Sequence, residues 1–512
     1  MSKPQVRMVK YFHYSPRIFI FFTFLFVYTL FAVDRIKSAS PNNHFAYQAE
    51  AFLAGQTNLV RSPPHGNDWA SYELITLHKA AQERASQTLG KSVKILKGIY
   101  LPKMKKQTRQ PHLFQTLQGD RLSLPPQDIK SRKRQYFVSF PPLPAILILP
   151  FVFLFGLAAS DVWLTLVFAA LNAVIAFELF LSILRGQQNN QPLQTENSPI
   201  EKALWLTASL CLGTAHFWCA VRGEVWFTAL IIGMSFQLLF FKWAWHLKSP
   251  FLAGLAYAAA FSTRASLITL GLFAYAQLFS SQAHNELKER VKKLVIFTIP
   301  PLMIGLVLLC YNYARFEEFH EFGHRYLAGG QLKRITQYGL FHWIFFKKNL
   351  IAAFALLPLL SSSFPLFTYS WHGMAIQFSS PQLLWSFFPS SPDSIAVKEG
   401  QSSTSSLRLK NNFYFLSKEN RVLHLALYFV LLSTFLLLMF YQNTGWVQYS
   451  WRFIIDMLPC LFLLFILTKC RLSSWYKLAT CWAIMINLLG ALVFGRYSEW
   501  WLGVNLPNLL PH

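Results

Sequence analysis

The sequence predicts an all-α, polytopic membrane protein with one large hydrophilic loop after its first transmembrane helix. Of its 512 residues, 54% are hydrophobic and only 13% are charged, whereas soluble domains carry roughly a quarter charged residues. Apolar runs recur along most of the chain at about the 20-residue length that a bilayer-crossing helix needs. Polar residues are instead concentrated between residues 34 and 139. Lipid can solvate the outward apolar side chains that such a composition requires.

The apolar runs predict about 11 to 13 transmembrane helices. Thr263-Arg264 interrupts the run 251–280, which is therefore either one span or two short ones. The runs lie near 18–33, 141–158, 162–184, 203–221, 225–245, 251–280, 295–313, 348–369, 371–388, 423–441, 449–468 and 474–495. They divide the chain into a first helix (1–33), an outer loop (34–139), a transmembrane bundle (140–388), a hydrophilic loop (389–422) and C-terminal helices (423–512).

The flanks of the first helix predict the orientation of the chain. Lys3, Arg7, Lys10 and Arg17 precede it, which places the N-terminus in the cytoplasm. No A-x-A-like cleavage site follows cleanly, so we expect an uncleaved anchor. In the outer loop, residues 45–53 have helical spacing before Gly55, and a second helix is expected from Tyr72 to about Leu89. The strongly basic stretch from Lys91 to Arg134 follows, and its middle is expected to pack loosely or to lie on lipid headgroups.

The charge of the chain restricts its partners. Forty-seven Lys and Arg against 22 Asp and Glu give a net charge of +25. This excess suits membrane lipids or phosphate-bearing ligands. It does not indicate nucleic acid, because no basic helix or RNA-binding signature appears outside the apolar segments. The cysteines form no CxxC pair, so they predict neither a metal site nor a disulfide framework.

Polar residues that follow the first helix form the first candidate cluster. His44, Tyr47 and Glu50 fall on one helix face, where a carboxylate could serve as general base on an acceptor hydroxyl. An ordinary capped surface helix explains the same pattern, since asparagine is a good N-cap residue. The cluster consists of Asp34, Asn42, Asn43, His44, Tyr47 and Glu50.

Two turns offer further carboxylates. Asp68 stands beside Trp69 in a turn of Pro, Gly and Asn, and this pair could bind a sugar or a metal, although turn composition alone explains all but the tryptophan. Glu224 follows Arg222-Gly223 between two apolar runs. It is either part of a plain turn or a second acidic group facing the outer loop.

Two later motifs could bind a metal or a phosphate. Residues 320–324 read HEFGH and match the zinc-peptidase pattern HExxH. Gly323 weakens the helix that this motif needs and no third ligand is evident, so we predict no zinc site. Arg452 begins a late apolar run, where its planar fork could hold a phosphate. Alternatively it pairs with Asp456 and extends toward the interface.

Taken in order, five features resemble the GT-C glycosyltransferases, and more narrowly the bacterial dolichyl-phosphate-mannose-protein mannosyltransferase-like proteins. The features are the first helix with its large outer loop, residues 42–55, residues 140–145, residues 312–316 with 322–326, and residues 451–453 with Pro459. The family carries its catalytic acid early in this loop, where the present chain has Asn42-Asn43. The resemblance therefore leaves three candidate bases: Asp34, which is favoured by its distance from the first helix, then Asp68 with its Trp neighbour, and Glu50. It also implies Glu224 as a second acid.

The resemblance also implies a substrate, a location and binding residues. A polyprenyl-phosphate sugar would donate its sugar, with inversion, to a glycan, lipid or protein acceptor at the outer face of a bacterial inner membrane. Some members use a divalent metal, and no metal ligand is predicted here. Arginines would hold the phosphate. The expected binding residues are Asn42, Asn43, His44, Tyr47, Trp69, Arg264, Arg315, His324, Arg325 and Arg452.

Two other classes of protein fit the same sequence. A lipid or solute transporter would need broken helices in matching halves. Pro300-Pro301 and Thr263-Arg264 are such breaks, but they do not pair. A non-catalytic membrane scaffold would use the basic loop as a docking surface. Carboxylates that all tolerate mutation would favour the scaffold.

Overall fold

The computed structural model describes residues 4–101, 112–190, 198–279, 287–327, 330–387, 418–497 and 500–502. Most of these residues are helical. The hydrophilic loop expected at 389–422 lies almost wholly outside the described residues. The α-helices are α1 Pro4–Phe31, α2 His44–Leu53, α3 Lys79–Leu89, α4 Leu143–Phe155, α5 Asp161–Asn190, α6 Pro199–Leu212, α7 Ala215–Ala220, α8 Glu224–Ala244, α9 Pro250–Phe261, α10 Gly271–Ala276, α11 Leu287–Phe316, α12 Gly330–Tyr338, α13 Phe346–Phe354, α14 Ile376–Ser379, α15 Lys418–Phe440, α16 Leu458–Leu467 and α17 Ser474–Val493.

Five helices of the described chain are long and apolar enough to cross a membrane. They are Asp161–Gln187, Glu224–Leu247, Leu287–Phe316, Arg421–Phe440 and Ser474–Val493. Shorter apolar helices lie at Pro16–Phe31, Leu143–Ala158, Pro250–Phe261, Ala265–Phe279 and Leu458–Leu467. The chain thus has the character of a helical membrane protein, but the five long helices fall short of the about 11 to 13 expected from apolar run length.

Several apolar runs are not continuous helices, which explains the difference in helix number. The run 348–369 contains only the short α13, followed by a β-hairpin of Leu359–Leu360 (β6) and Phe367–Ser370 (β7). The run 371–388 holds the four-residue α14 and a 3-10 helix. Run length alone does not distinguish such segments from a spanning helix.

The hydrophilic segment 34–139, which was predicted to be an outer loop, contains a five-stranded antiparallel sheet, so the fold is mostly helical but not all-α as predicted. Its strands run in the order β4-β3-β2-β1-β5. The helix expected from Tyr72 to Leu89 is a strand over its first part and becomes α3 only at Lys79. The strands are β1 Trp69–Leu77, β2 Leu96–Tyr100, β3 Leu113–Thr116, β4 Arg121–Ser123 and β5 Ile129–Val138; a two-residue strand, β8 (Trp501–Leu502), pairs with β7.

The sheet is anchored to the membrane bundle through the end of α11. One sheet face packs on α3 in an apolar cluster around Ile75 and Phe114. On the other face, Tyr72 and Phe137 pack against Phe316. The Tyr72 hydroxyl also donates to the carbonyl of Arg315 at 3.1 Å. The basic segment expected to be loose therefore includes the strands of a folded unit with its own core.

Helix α2 connects the sheet unit to the bundle on a second side. Phe45 and Ala49 pack against Ile148 of α4 and Ala229 of α8. Asn43 is the residue that precedes α2, but its side chain makes no capping hydrogen bond. Its amide instead donates to the carbonyl of Ala159 at 2.9 Å. The start of α2 is therefore fixed by tertiary contacts rather than by the local cap expected from the sequence.

Gly254 of α9 permits a close approach between α9 and α11. A Cβ atom at this position would lie 2.2 Å from the carbonyl oxygen of Phe297. We expect Gly254→Ala to separate the two helices and to lower the free energy of unfolding by about 1–3 kcal/mol. Thermal unfolding in detergent micelles measures the change. Gly305→Ala, in α11, is the control because a Cβ there meets no atom within 4 Å; equal destabilisation by both variants would contradict this packing argument.

Candidate functional site

Asp68 lies where the sheet unit meets the bundle, immediately before β1. Its backbone has a positive φ of 55°, a conformation that costs a non-glycine residue free energy and is concentrated at functional sites. Its two carboxylate oxygens accept hydrogen bonds from Trp226 Nε1 and Gln331 Nε2, both at 2.7 Å. Helices α8 and α12 therefore fix the orientation of the carboxylate with neutral donors.

His44 and Trp69 support the turn that carries Asp68. The rings of the two residues stack with centroids 3.7 Å apart and planes 6° apart. The His44 ring nitrogens lie 3.0 Å from the carbonyl oxygens of Asn42 and Asn67. Burial lowers the pKa of His44 to about 4, against the opposing effect of these carbonyls and of Asp68. Both side chains are thus committed to the turn, and one face of Trp69 is covered where a sugar was expected to stack.

Arg452 is buried without a carboxylate partner among the described residues. One of its guanidinium nitrogens donates to the carbonyl of Val447 at 3.2 Å. The group lies 5.1 Å from the ring centroid of Phe227 and 5.7 Å from that of Phe453, and its Nε has no hydrogen-bond partner. Because a buried charge is costly unless it is paired, this guanidinium is a candidate anion ligand.

Asp456 pairs with Arg264, not with Arg452 as one reading of the sequence proposed. Arg264 donates through Nε and Nη2 to the two carboxylate oxygens at 2.8 and 2.7 Å. Ser266 donates to the same carboxylate at 2.7 Å. The Arg264 fork is therefore already occupied by a carboxylate. Of Arg264 and Arg452, Arg452 is therefore the one whose guanidinium is free of a carboxylate among the described residues and can bind a phosphate.

The charge of Asp68 acts on several neighbouring groups, which together form the Asp68 site. Burial raises the pKa of Tyr441 to about 12 and the charge of Asp68 adds to this rise. Burial lowers the pKa of His324 to about 4, and here the charge of Asp68 opposes the effect. The buried Nδ1 of His324 has no hydrogen-bond partner. Tyr441 was missed by sequence reasoning. The site consists of Asp68, Arg452, His44, His324 and Tyr441.

Arg315 and Arg325, two further arginines expected to bind phosphate, are engaged by other groups of the protein. Arg315 is buried and donates to the carbonyl of Val138 at 2.7 Å and to Asn312 Oδ1 at 2.8 Å. It thereby joins α11 to the end of β5. Arg325 is exposed and pairs with Glu318 and Glu321, each at 3.2 Å. Neither guanidinium is among the groups that Asp68 affects.

Asp34 and Glu50, two other candidate bases, are held in ion pairs. Arg496 donates two hydrogen bonds to the Asp34 carboxylate, and these hold its pKa at about 2. Glu50 pairs with Arg61 near the surface. The structure does not bring either carboxylate into the Asp68 site. A base with so low a pKa is also weak.

Glu224 and Asp161 organise the loops beneath the site. Glu224 has φ of +65° and pairs with Arg222 at 2.7 Å. Its backbone N–H donates to the buried carboxylate of Asp161 at 2.8 Å, which also accepts from the backbone and hydroxyl of Ser40. Asp161 was not singled out from the sequence. Its only local signal is an acidic residue at the start of a long apolar run.

Asn42, Asn43 and Tyr47 lie at and near the start of α2, next to the turn that carries Asp68. The carbonyl of Asn42 accepts from the backbone N–H of Val225 at 3.1 Å and so joins α2 to α8. The side-chain carbonyl oxygens of Asn42 and Asn43 are buried without partners. Tyr47 packs edge-on against Trp69 with centroids 5.4 Å apart. The two asparagine oxygens are buried acceptors without a hydrogen-bond partner.

The HExxH segment does not form a zinc-peptidase helix. Helix α11 ends at Phe316, and Glu317 and Gly323 have φ of +57° and +99°. Within the described ranges, no group of three or more His, Cys, Asp or Glu residues is placed to hold a metal ion.

Comparisons with known proteins identify no relative, since no family model, curated protein or solved structure matches the chain.

Proposed function

We propose that this chain is an integral-membrane glycosyltransferase that moves a sugar from a polyprenyl-phosphate donor to a cell-envelope acceptor at the outer membrane–water interface. The observation that carries the proposal is the Asp68 site. There, a carboxylate held only by neutral donors accepts from Trp226, and a buried arginine that has no carboxylate partner among the described residues lies against the next residue of α8, Phe227. On this proposal the N-terminus is cytoplasmic and the host membrane is a bacterial inner membrane.

Each half of the site suits one half of the transfer. Asp68 takes the proton from the acceptor hydroxyl as its oxygen bonds to the anomeric carbon. The bond from that carbon to the phosphate oxygen breaks, and the polyprenyl phosphate leaves with the electron pair. Arg452 stabilises the charge that develops on the leaving phosphate. Attack opposite to the leaving group inverts the anomeric carbon.

The dry setting of Arg452 favours this role. The guanidinium is enclosed by Phe227 and Phe453, so that little water competes with an incoming phosphate. An electrostatic interaction is stronger in such a low-dielectric site than in water. The site lies between the hydrophilic sheet unit and the apolar bundle. On this proposal that is where a lipid-linked donor, bound by Arg452, meets a polar acceptor, deprotonated by Asp68.

Analysis of lipid-linked sugars and envelope glycans in cells that lack the protein tests the proposal. We expect one sugar modification to be lost, to return with the wild-type protein and to stay absent with Asp68→Asn. Glu83→Gln is the matched control, because it makes the same acid-to-amide change on exposed α3 of the same unit. An unchanged glycan profile in the deleted cells would contradict the transferase and would favour a transporter or a scaffold.

A further inference from the structure

A second set of basic side chains lies beside the Asp68 site. Arg334 belongs to α12, Lys348 to α13, and His372 follows β7. In the part of the chain that the structure describes, none of the three pairs with a carboxylate, and the Nε of Arg334 is buried without a hydrogen-bond partner. We call these three residues the Lys348 cluster.

Hydrogen bonds to one segment, residues 439–448, bring the members of the Lys348 cluster together. Asn349, next to Lys348, donates to the carbonyls of Met439 and Tyr441 at 2.8 and 2.7 Å. His372 Nδ1 lies 2.8 Å from Thr444 Oγ1. Gln442 donates to Gln331 of α12 at 3.3 Å. Gln331 lies one helical turn before Arg334, so this contact brings Arg334 to the same segment.

The same contacts place the cluster next to Asp68. Gln331, which accepts from Gln442, donates to the Asp68 carboxylate. The charges of the cluster also act on one another. Burial first, and then Arg334, lowers the pKa of Lys348 to about 8. Burial and both of its cationic neighbours lower the pKa of His372 to about 4.

Arg334 and Lys348 are partly buried cations whose charges act on one another and on the His372 imidazole, and an anion would offset their repulsion. At pH 7 Arg334 and Lys348 are charged, while His372 can donate or accept a hydrogen bond. A guanidinium fork and a primary ammonium are the groups that proteins use most for phosphate oxygens. The chemistry of the cluster therefore favours a phosphate group as its ligand.

An apolar groove begins beyond the other end of α13. It has a volume of about 560 Å³ and is lined almost entirely by apolar atoms. Lys348 lies in the first turn of α13, and Leu357 and Pro358, which follow the helix, line the groove. The length of α13 is about 13 Å at the helical rise per residue. The lining residues are Leu357, Pro358, Leu360, Phe367, Phe378, Trp482, Met485, Ile486, Leu488 and Leu489.

The groove opens where hydrocarbon is expected. One wall is α17, which is long and apolar enough to cross a membrane. Trp482 and Met485 on this helix are 41% and 53% exposed. The opposite wall is the β6–β7 hairpin, where Leu360 is 88% exposed. Such surfaces are stable against lipid chains rather than against water.

We infer that the Lys348 cluster and this groove bind one phosphate-bearing lipid, with its phosphate at Arg334, Lys348 and His372 and its hydrocarbon chain along α17. The lipid headgroup would lie beside Asp68. On the proposed function, which this step rests on, the bound lipid is the acceptor, while Arg452 holds the phosphate of the donor. The binding site itself does not depend on the transfer reaction.

Lipid binding to the purified full-length protein tests the inference. The probe is dioleoyl phosphatidic acid, added to protein in phosphatidylcholine nanodiscs and followed by native mass spectrometry. We expect Arg334→Gln with Lys348→Met to weaken binding by at least about tenfold, the factor that one lost charge-assisted contact of about 1.4 kcal/mol gives. The matched control is Lys333→Met with Lys347→Met, which removes the two adjacent exposed lysines.

A second pair of measurements separates a lipid from free phosphate. Met485→Trp fills the groove and should weaken phosphatidic acid binding while leaving binding of inorganic phosphate unchanged. If inorganic phosphate binds as tightly as the lipid, or Met485→Trp has no effect on the lipid, the ligand is not a lipid and the inference fails. Equal losses in the control and cluster variants would mean a nonspecific charge effect and would also overturn it.

The outcomes for this site and for the transferase can be distinguished. Asp68→Asn should retain phosphatidic acid binding, since this residue contributes no positive charge to the Lys348 cluster. Deleted cells with unchanged glycans, combined with loss of lipid binding in the cluster variants, would overturn the transfer reaction and the acceptor role but would support the lipid site. Loss of a glycan in the deleted cells, combined with unaltered lipid binding in the cluster variants, would support the transfer reaction and would overturn the lipid site.

Discussion

Asp68→Asn is expected to lower the turnover number for sugar transfer by about 100- to 10,000-fold, the usual contribution of a general base. The amide keeps the shape of the side chain, and Gln331 can turn its own amide so that both hydrogen bonds at this position persist. The variant should therefore fold and bind donor with little change in KM. Initial rates with purified protein and a polyprenyl-phosphate sugar, measured over a range of donor concentrations, separate the two effects.

The alternative bases provide the control for Asp68. Asp34→Asn and Glu50→Gln remove carboxylates that are held in ion pairs with Arg496 and Arg61. One partner of each pair is at least 49% exposed, which limits the stability that the pair contributes, so both variants should fold and should keep nearly full turnover. A normal rate for Asp68→Asn, with loss of turnover in either of the other two, would move the base to the first helix or to α2.

The membrane character and the large hydrophilic segment after the first helix were predictable from the sequence, but the sheet within that segment was not. Strand β5 reads IKSRKRQYFV and is the edge strand of the sheet. Charged side chains on an edge strand block pairing with other chains. The same charges remove the apolar alternation by which a strand is recognised. The basic stretch was therefore predicted as loosely packed.

The site was only partly predictable because its contacts join distant parts of the chain. The sequence indicated Asp68 and Arg452 as individual candidates. It could not show that Asp68 is held by Trp226 and Gln331, which lie in helices far along the chain. Local spacing offered Arg452, one turn away, as one possible partner of Asp456. In the structure that partner is Arg264, which is 192 residues distant.

Arg264→Met is expected to lower the free energy of unfolding by about 3–5 kcal/mol, because it leaves the buried carboxylate of Asp456 without its cation. The Asp456 side chain is fully buried and that of Arg264 is 13% exposed. Both oxygens accept from the guanidinium fork, so a lysine could not replace it fully. Chemical denaturation of the protein in mixed micelles gives the change in free energy.

Removing both charges should recover most of this loss. Arg264→Met with Asp456→Leu leaves no buried charge, and replacing a buried ion pair by apolar residues is often neutral or stabilising. Lys292→Met is the control, since its side chain is 67% exposed and that of its partner Glu289 is 52% exposed, and a surface pair is worth at most about 1 kcal/mol. A double variant as unstable as Arg264→Met alone would show that the pair holds the bundle by its geometry rather than by neutralising a buried charge.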